Sequence, residues 1–88
     1  MIHKFFKIMN KLGLHARPAA IFVQKTSRYK SEITVTKNGQ RVSGRSIMGL
    51  MMLAAGKGSE IEIIANGPDE KEMVKELGEF IEKKFDEE

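Results

Sequence analysis

The segment that most restricts the fold alternates apolar and polar residues and then runs into an Asn-Gly pair. Within residues 32–36, Ile33 and Val35 occupy every second position, which is the period of a strand with one buried face. The Asn-Gly pair at 38–39 favours a two-residue hairpin turn, because both of its central positions need a positive φ. The return strand is predicted at residues 41–43. The chain is therefore expected to contain an antiparallel sheet.

Hydrophobic periodicity divides the rest of the chain into strands and helices. Strands are predicted at residues 2–9 and 60–65, and apolar residues at helical spacing predict helices at 16–29 and 46–53. A last helix is predicted from Pro68, and its buried stripe comprises Met73, Val74, Leu77, Phe80, Ile81 and Phe85. The order β-α-β-β-α-β-α predicts an α+β sandwich, a four-stranded antiparallel sheet with three helices on one face.

Length and composition exclude several classes of protein. The 88 residues predict one domain over residues 1–88, and the absence of cysteine excludes disulfides and thiolate chemistry. The longest nearly apolar run, residues 47–56, is about half the ~20 residues of a membrane-spanning helix. The charged N-terminal residues do not resemble the apolar core of a signal peptide. We therefore expect a soluble, cytoplasmic protein with no membrane insertion.

Charge is distributed unevenly along the chain. Residues 1–59 carry eleven Lys or Arg and one acid, a net charge of +10, whereas residues 60–88 carry four Lys and eleven acids, a net charge of −7. A basic region of this kind favours acidic partners, either a nucleic acid or the acidic face of another protein. A solvated, ion-paired surface fits the same pattern. Charge alone leaves these interpretations open.

Residues 13–20, Gly-Leu-His-Ala-Arg-Pro-Ala-Ala, pass directly from a loop into the first helix. The first N–H groups of a helix have no internal acceptor and carry partial positive charge, so this turn can bind an anion. Pro18 fits there because its missing N–H costs nothing. The positive helix end favours a neutral, nucleophilic imidazole at His15, and Arg17 offers a guanidinium suited to phosphate oxygens. Taken alone, these residues fit a surface histidine or a helix cap better than a nucleophile.

The His-Ala-Arg-Pro motif and several later segments together resemble one known family. Residues 13–19 are similar to the signature of HPr, the histidine-containing phosphocarrier family of the bacterial sugar phosphotransferase system. Further matches follow in order at residues 31–36, 46–53, 57–58 and 67–70. The resemblance implies an open-faced β-sandwich that acts as a monomer. It also implies that phosphorylated enzyme I transfers a phosphoryl group to Nδ1 of His15, which passes it to sugar-specific IIA domains.

The residues around His15 have separate predicted roles in this relay. His15 is the phosphoryl acceptor and donor, the side chain of Arg17 stabilises the phosphate, and the backbone of Ala16 and Arg17 forms the anion site. We expect no cofactor, no metal and no independent kinase activity. Residues 56–59, Gly-Lys-Gly-Ser, do not complete a nucleotide-binding loop. The phosphoryl group must therefore come from a partner. His3, the only other histidine, is predicted to be structural or neutral.

Ser46 and the methionines that follow it form a second candidate site. Ser46 precedes an apolar run, as a helix N-cap does. The resemblance implies regulatory phosphorylation of Ser46 by a dedicated kinase/phosphorylase, which would make the chain a partner of a carbon-catabolite repressor. It also implies a partner interface beside His15, consisting of Ala20, Ile47, Met48 and Met51. Leu50 and Leu53 are expected in the core.

Three other functions fit the sequence less well than the relay. A purely regulatory protein acting through phospho-Ser46 is disfavoured because the catabolite-repression branch of the family lacks the active-site histidine, which is present here. The nitrogen-related branch shares the His-Ala-Arg-Pro motif, but residues 46–53 fit the sugar branch better. Nucleic-acid binding is not expected, since only Phe5 and Phe6 are strand aromatics and no RNA-binding motif is found.

Overall fold

A computed structural model describes residues 1–87 and contains the predicted open-faced β-sandwich. The four strands are β1 (Ile2–Lys7), β2 (Glu32–Lys37), β3 (Gln40–Ser43) and β4 (Glu60–Asn66). The helices are α1 (Ala16–Thr26), α2 (Ile47–Met52) and α3 (Glu70–Glu82). The sheet order is β1-β4-β2-β3 and every neighbouring pair is antiparallel. The element order and the antiparallel sheet predicted from the sequence are confirmed.

The hairpin joins β2 and β3 as predicted. Lys37 pairs with Gln40, and the two residues between them have positive φ, 51° at Asn38 and 83° at Gly39. This is the backbone that an Asn-Gly pair adopts most readily. The pairing turns Ile33 and Val35 toward the helices, where both are buried. The hairpin thereby sets which face of the sheet is covered.

The core lies between one face of the sheet and the three helices. Leu50 and Leu53, predicted to be buried, are exposed by 0% and 2%. The largest fully buried side chains come from all layers: Phe22, Ile8, Ile61, Ile63, Met73, Leu77 and Ile81. The opposite face of the sheet has no such cover, and Phe5 on it remains 59% exposed. None of the helices within residues 1–87 is long and apolar enough to cross a bilayer.

Helix α1 ends at Thr26, three residues before the predicted boundary. The buried Thr26 hydroxyl donates to the carbonyls of Val23 and Gly44, at 3.0 and 2.9 Å. The Arg45 guanidinium then donates to the carbonyls of Thr26, Tyr29 and Ser31. Arg45 thus ties the segment after α1 to the residue before Ser46, a contact between residues distant in the sequence that periodicity cannot reveal.

Helix α3 also ends earlier than its apolar stripe suggests. Phe85 was predicted as a helical residue, but α3 stops at Glu82 and residues 84–86 all have positive φ, between 56° and 58°. Phe85 is nevertheless buried, with its ring 5.1 Å from the Phe80 ring in an edge-on arrangement. The prediction of burial is confirmed, and the prediction of helix is wrong. The left-handed turn reverses the chain after Glu82.

Gly13 is needed in the loop that precedes α1. Its φ is +70°, and a Cβ built on it would lie 2.4 Å from the carbonyl oxygen of Ala55 and 2.7 Å from Cα of Gly56. We expect Gly13→Ala to lower the free energy of unfolding by about 3 kcal/mol, since both backbone strain and overpacking act. Urea titration measures the change. Gly56→Ala is the matched control, because no atom beyond its chain neighbours lies within 4 Å of the added Cβ. An equal loss of unfolding free energy in both variants would contradict this prediction.

Asp69 ties the start of α3 to the segment that precedes β2. Its carboxylate accepts hydrogen bonds from the Ser31 hydroxyl at 2.5 Å and from the backbone N–H groups of Lys30 and Ser31 at 2.9 Å. The Ser31 hydroxyl is the main reason that the pKa of Asp69 lies below its ordinary value, followed by the Lys30 N–H. Because the folded pKa is depressed, this contribution to stability is present above the unfolded value of about 3.9 and is lost as the pH falls further.

The stability difference between the wild type and Asp69→Asn should therefore depend on pH. We expect it to be largest above the ordinary pKa of an aspartate and to shrink as the pH falls below that value, because the carboxylate is then progressively protonated and its hydrogen bonds are lost. Chemical denaturation at a series of pH values measures it. A difference that stays constant over this range would show that the charge of Asp69 contributes nothing.

Candidate functional site

His15 is the residue that immediately precedes α1. It is the N-cap, with φ −91° and ψ −170°, so its backbone is extended while its carbonyl already accepts from the N–H of Ala19 at 3.0 Å. Leu14 anchors the loop before His15 in two ways. Its N–H donates to the carbonyl of Ala55 at 2.9 Å, and its side chain is buried. The loop therefore holds His15 at a defined position on the surface.

The anion site is predicted in the first turn of α1. Ala19 is the first residue whose N–H donates back to His15, so the N–H groups of Ala16 and Arg17 have no acceptor inside the helix, and Pro18 has no N–H. No acidic residue lies in this turn. Both Ala16 and Arg17 are exposed, and the guanidinium of Arg17 makes no ion pair or hydrogen bond with any side chain among residues 1–87. Two free amides and a free cation therefore lie next to His15.

The His15 ring contacts a carboxylate that the sequence analysis did not single out. Its Nε2 lies 2.8 Å from Oε2 of Glu87, and the side chains are 32% and 18% exposed. The other oxygen of Glu87 accepts from the buried Asn10 amide at 2.9 Å, and the same amide donates to the carbonyl of Gly13 at 2.7 Å. The bond from Asn10 is the main reason that the pKa of Glu87 lies below its ordinary value; the contact with His15 acts in the same direction.

An apolar surface adjoins the histidine. A shallow depression beside the ring is lined by Leu12, Leu14, Met51, Ala54, Ala55 and Gly56. It continues into the outer side of α2, where Ile47, Met48, Met51 and Met52 are exposed by between 42% and 73%. Ala20 is half-buried on α1, which packs against α2. We call the four exposed residues of α2 the methionine patch.

Ser46 caps α2, as the sequence predicted. Its hydroxyl oxygen accepts from the N–H of Gly49 at 2.9 Å, and its own backbone is extended. A Cβ added to Gly49 would lie 3.1 Å from the same oxygen, so the cap fits closely. The side chain of Ser46 thus already has a structural role, and its position next to Ile47 places it at the edge of the methionine patch.

Several basic residues of the first part of the chain are engaged in internal contacts. Lys25 and Arg28 both form ion pairs with Glu76, and Tyr29 donates a hydrogen bond to the same carboxylate. The Tyr29 bond opposes the desolvation of Glu76, and the pKa of Glu76 lies below its ordinary value. Arg45 is held by backbone carbonyls. Arg17, beside His15, makes no such contact among residues 1–87.

The chain is similar to known proteins of one family. The family model for the phosphotransferase-system HPr component phosphorylation site matches residues 2–83. The chain belongs to the HPr family. A phosphocarrier protein HPr of Neisseria meningitidis is 52% identical over 87 residues, 99% of this chain and 98% of the relative. The crystal structure of an HPr from Thermoanaerobacter tengcongensis has a TM-score of 0.95 and 46% identity, and covers 100% of this chain and 99% of its own.

The HPr family includes a second kind of relative that is nearly as similar. An HPr-like protein Crh of Halalkalibacterium halodurans is 51% identical over 83 residues, 94% of this chain and 99% of the relative. Overall identity therefore does not separate the phosphocarrier branch from the Crh branch. Only the residues of the candidate site can indicate which of the two branches this chain resembles in function.

Sequence reasoning found part of this HPr-family site and missed the rest. The motif placed His15, Ala16 and Arg17 together, and the structure brings all three to one end of α1. In the sequence, Glu87 is one of many C-terminal acids, and Asn10 is the residue that follows the first predicted strand. A polar Asn directly after an apolar strand was the one available signal for a buried side chain. No local pattern pointed to Glu87, because its approach depends on the left-handed turn at residues 84–86.

Proposed function

We propose that this chain is a phosphocarrier in which His15 accepts a phosphoryl group from phosphorylated enzyme I and donates it to sugar-specific IIA domains. The observation that carries the proposal is the position of a partly exposed imidazole at a helix N-terminus, next to two amides and the Arg17 guanidinium, which have no hydrogen-bond or ion-pair partner among residues 1–87. Phosphoryl transfer needs a nucleophile and a local site for the charge of the group that is transferred. This end of α1 offers both.

The transfer step uses the Nδ1 atom. Nε2 faces Glu87, whereas Nδ1 has no hydrogen-bond partner among residues 1–87. Its lone pair attacks phosphorus, the bond between phosphorus and the donor atom of enzyme I breaks, and a P–Nδ1 bond forms. The N–H groups of Ala16 and Arg17 and the Arg17 guanidinium stabilise the phosphoryl oxygens. Each helix-terminus contact of this type contributes about 0.3–1 kcal/mol, modest enough for the group to leave again.

Partners dock on the surface around His15. We propose that Ala20, Ile47, Met48 and Met51 form this interface, since exposed methionines adapt to more than one partner. The basic charge of residues 1–59 would steer acidic proteins toward it. Docking and transfer need a single copy of the chain, and we propose a cytoplasmic monomer.

A regulatory role at Ser46 is compatible with the relay. A phosphate on Ser46 would lie at the start of α2 beside the methionine patch, adding negative charge to a surface that receives acidic partners. We propose that a dedicated kinase/phosphorylase modifies Ser46 and that the product binds a carbon-catabolite repressor. A purely regulatory, Crh-like function is the second candidate. The presence of His15 at the free amides favours the carrier.

A reconstituted relay tests the proposal. The chain is mixed with enzyme I and phosphoenolpyruvate, and its mass is followed before and after a IIA domain is added. We expect a gain of one phosphate that is labile in acid and that disappears when the IIA domain becomes labelled. If the mass stays unchanged with an active enzyme I, the carrier proposal fails and the Crh-like function remains.

A further inference from the structure

The geometry points to Glu87 as a positioning residue for phosphoryl transfer. We infer that its carboxylate accepts the Nε2 proton of His15, fixes the ring in the tautomer with a free Nδ1 lone pair, and balances the positive charge that develops on the ring during attack. This inference rests on the proposed carrier function and adds a residue outside the His-Ala-Arg-Pro motif.

The contacts around Glu87 favour a fixed position. One carboxylate oxygen faces His15 Nε2 at 2.8 Å, and the other accepts from Asn10 at 2.9 Å. The Asn10 amide uses its second hydrogen on the carbonyl of Gly13, two residues before His15. The carboxylate and the loop that carries the histidine are thus held by one fully buried side chain.

The arrangement around Asn10 has a cost in folding stability. The Oδ1 atom of Asn10 is buried and accepts no hydrogen bond from residues 1–87. An unsatisfied buried acceptor of this kind lowers the stability of the fold. An apolar residue here would avoid that cost but would release Glu87. Stability alone therefore does not account for Asn10, whereas a need to hold the carboxylate does.

The backbone that delivers Glu87 is strained. Lys84, Phe85 and Asp86 all have φ near +57°, in the left-handed region that residues with a Cβ rarely adopt in succession. Burial of Phe85 against Phe80 offsets this strain and anchors the turn. The turn sends the chain back toward the N-terminal end of α1. Strain that is offset elsewhere in this way is a common property of functional segments.

The chemistry follows from the tautomer. In a neutral imidazole only one nitrogen carries a proton, and the acceptor at one nitrogen decides which. With Glu87 at Nε2, the proton stays there and Nδ1 keeps its lone pair. When the P–Nδ1 bond forms, the ring becomes cationic while the Nε2–H remains, and the carboxylate lies beside that charge. On transfer to an acceptor the P–Nδ1 bond breaks and the electron pair returns to Nδ1.

Two substitutions at Glu87 and one matched control test this role. Glu87→Ala removes the acceptor, Glu87→Gln removes its charge, and Asp86→Asn removes a neighbouring charge without touching His15. Thermal unfolding checks that all three fold. With enzyme I and phosphoenolpyruvate, we expect both Glu87 variants to lose about tenfold in kcat, one order of magnitude for about 1.4 kcal/mol, with little change in KM. Asp86→Asn should match the wild type.

A second readout does not depend on the relay. Nitrogen NMR of the unphosphorylated protein at a pH where the ring is neutral reports which nitrogen of His15 carries the proton. We expect the Nε2–H form to dominate in the wild type and in Asp86→Asn, and a mixture of tautomers in Glu87→Ala. Unchanged tautomers in Glu87→Ala, or Glu87 variants as fast as Asp86→Asn, would overturn the inference. A wild type that takes no phosphate would instead defeat the proposed function, and the tautomer result would still decide the role of Glu87.

Discussion

We expect His15→Ala to abolish phosphorylation by enzyme I altogether. The variant lacks the proposed acceptor atom, so no labile phosphate should accumulate at any enzyme concentration. The fold should remain, because the His15 side chain is partly exposed and makes no cap hydrogen bond to α1. Mass spectrometry after incubation with phosphoenolpyruvate and enzyme I measures the loss, and circular dichroism verifies the fold.

His3→Ala is the matched control, since it removes the other histidine of the chain. His3 lies in β1, and its Nδ1 contacts Glu62 at 3.0 Å on the open face of the sheet, away from α1. We expect this variant to take up phosphate as the wild type does. Phosphate uptake by His15→Ala, or its loss in His3→Ala, would place the acceptor elsewhere.

Met48→Glu should give the second largest effect, a loss of partner affinity. Met48 is the most exposed member of the methionine patch, at 73%, and a carboxylate added there would replace an apolar contact and lose its hydration when a partner docks. Interface residues of this kind contribute about 2 kcal/mol, so the KM for enzyme I and for a IIA domain should rise about 30-fold. The phosphoryl bond to His15 is not touched, so kcat should change little.

Phe5→Glu provides the comparison for Met48→Glu. Phe5 is also a large exposed apolar residue, 59% exposed, but it lies on the uncovered face of the sheet. The same change of charge at that position should leave both KM values unaltered. Steady-state kinetics on the two variants separate a local docking surface from a general effect of negative charge. Equal KM values for Met48→Glu and the wild type would remove the methionine patch from the interface.

The sequence was sufficient for those parts of the fold that depend on local chemistry. Alternation and the Asn38-Gly39 turn predicted the hairpin because the turn needs positive φ at two successive residues. Ser46 was identified as a cap because an hydroxyl before an apolar run satisfies a free N–H. Gly13 and His15 were placed in the right loop by the change from strand to helix. Each of these features is decided by residues adjacent in the chain.

The features that the sequence did not predict depend on distant contacts. Helix α1 ends at Thr26, and the Thr26 carbonyl accepts a hydrogen bond from Arg45, nineteen residues later in the sequence. Phe85 is buried through a left-handed turn that contains no glycine, so the apolar stripe wrongly extended α3. Glu87 reaches His15 only because that turn and Asn10 position it. Local patterns cannot contain this information, since the partners meet only after the chain has folded.

The site on α1 is tested most directly by NMR of the phosphorylated protein. We propose that the phosphoryl group is bonded to Nδ1 of His15 and held by the amides of Ala16 and Arg17. Nitrogen–phosphorus coupling identifies the bonded atom, and proton–nitrogen spectra report the two amides. The account predicts coupling at Nδ1 of His15, together with large shifts of both amides on phosphorylation. Coupling at any other atom, or amides that do not move, would contradict it.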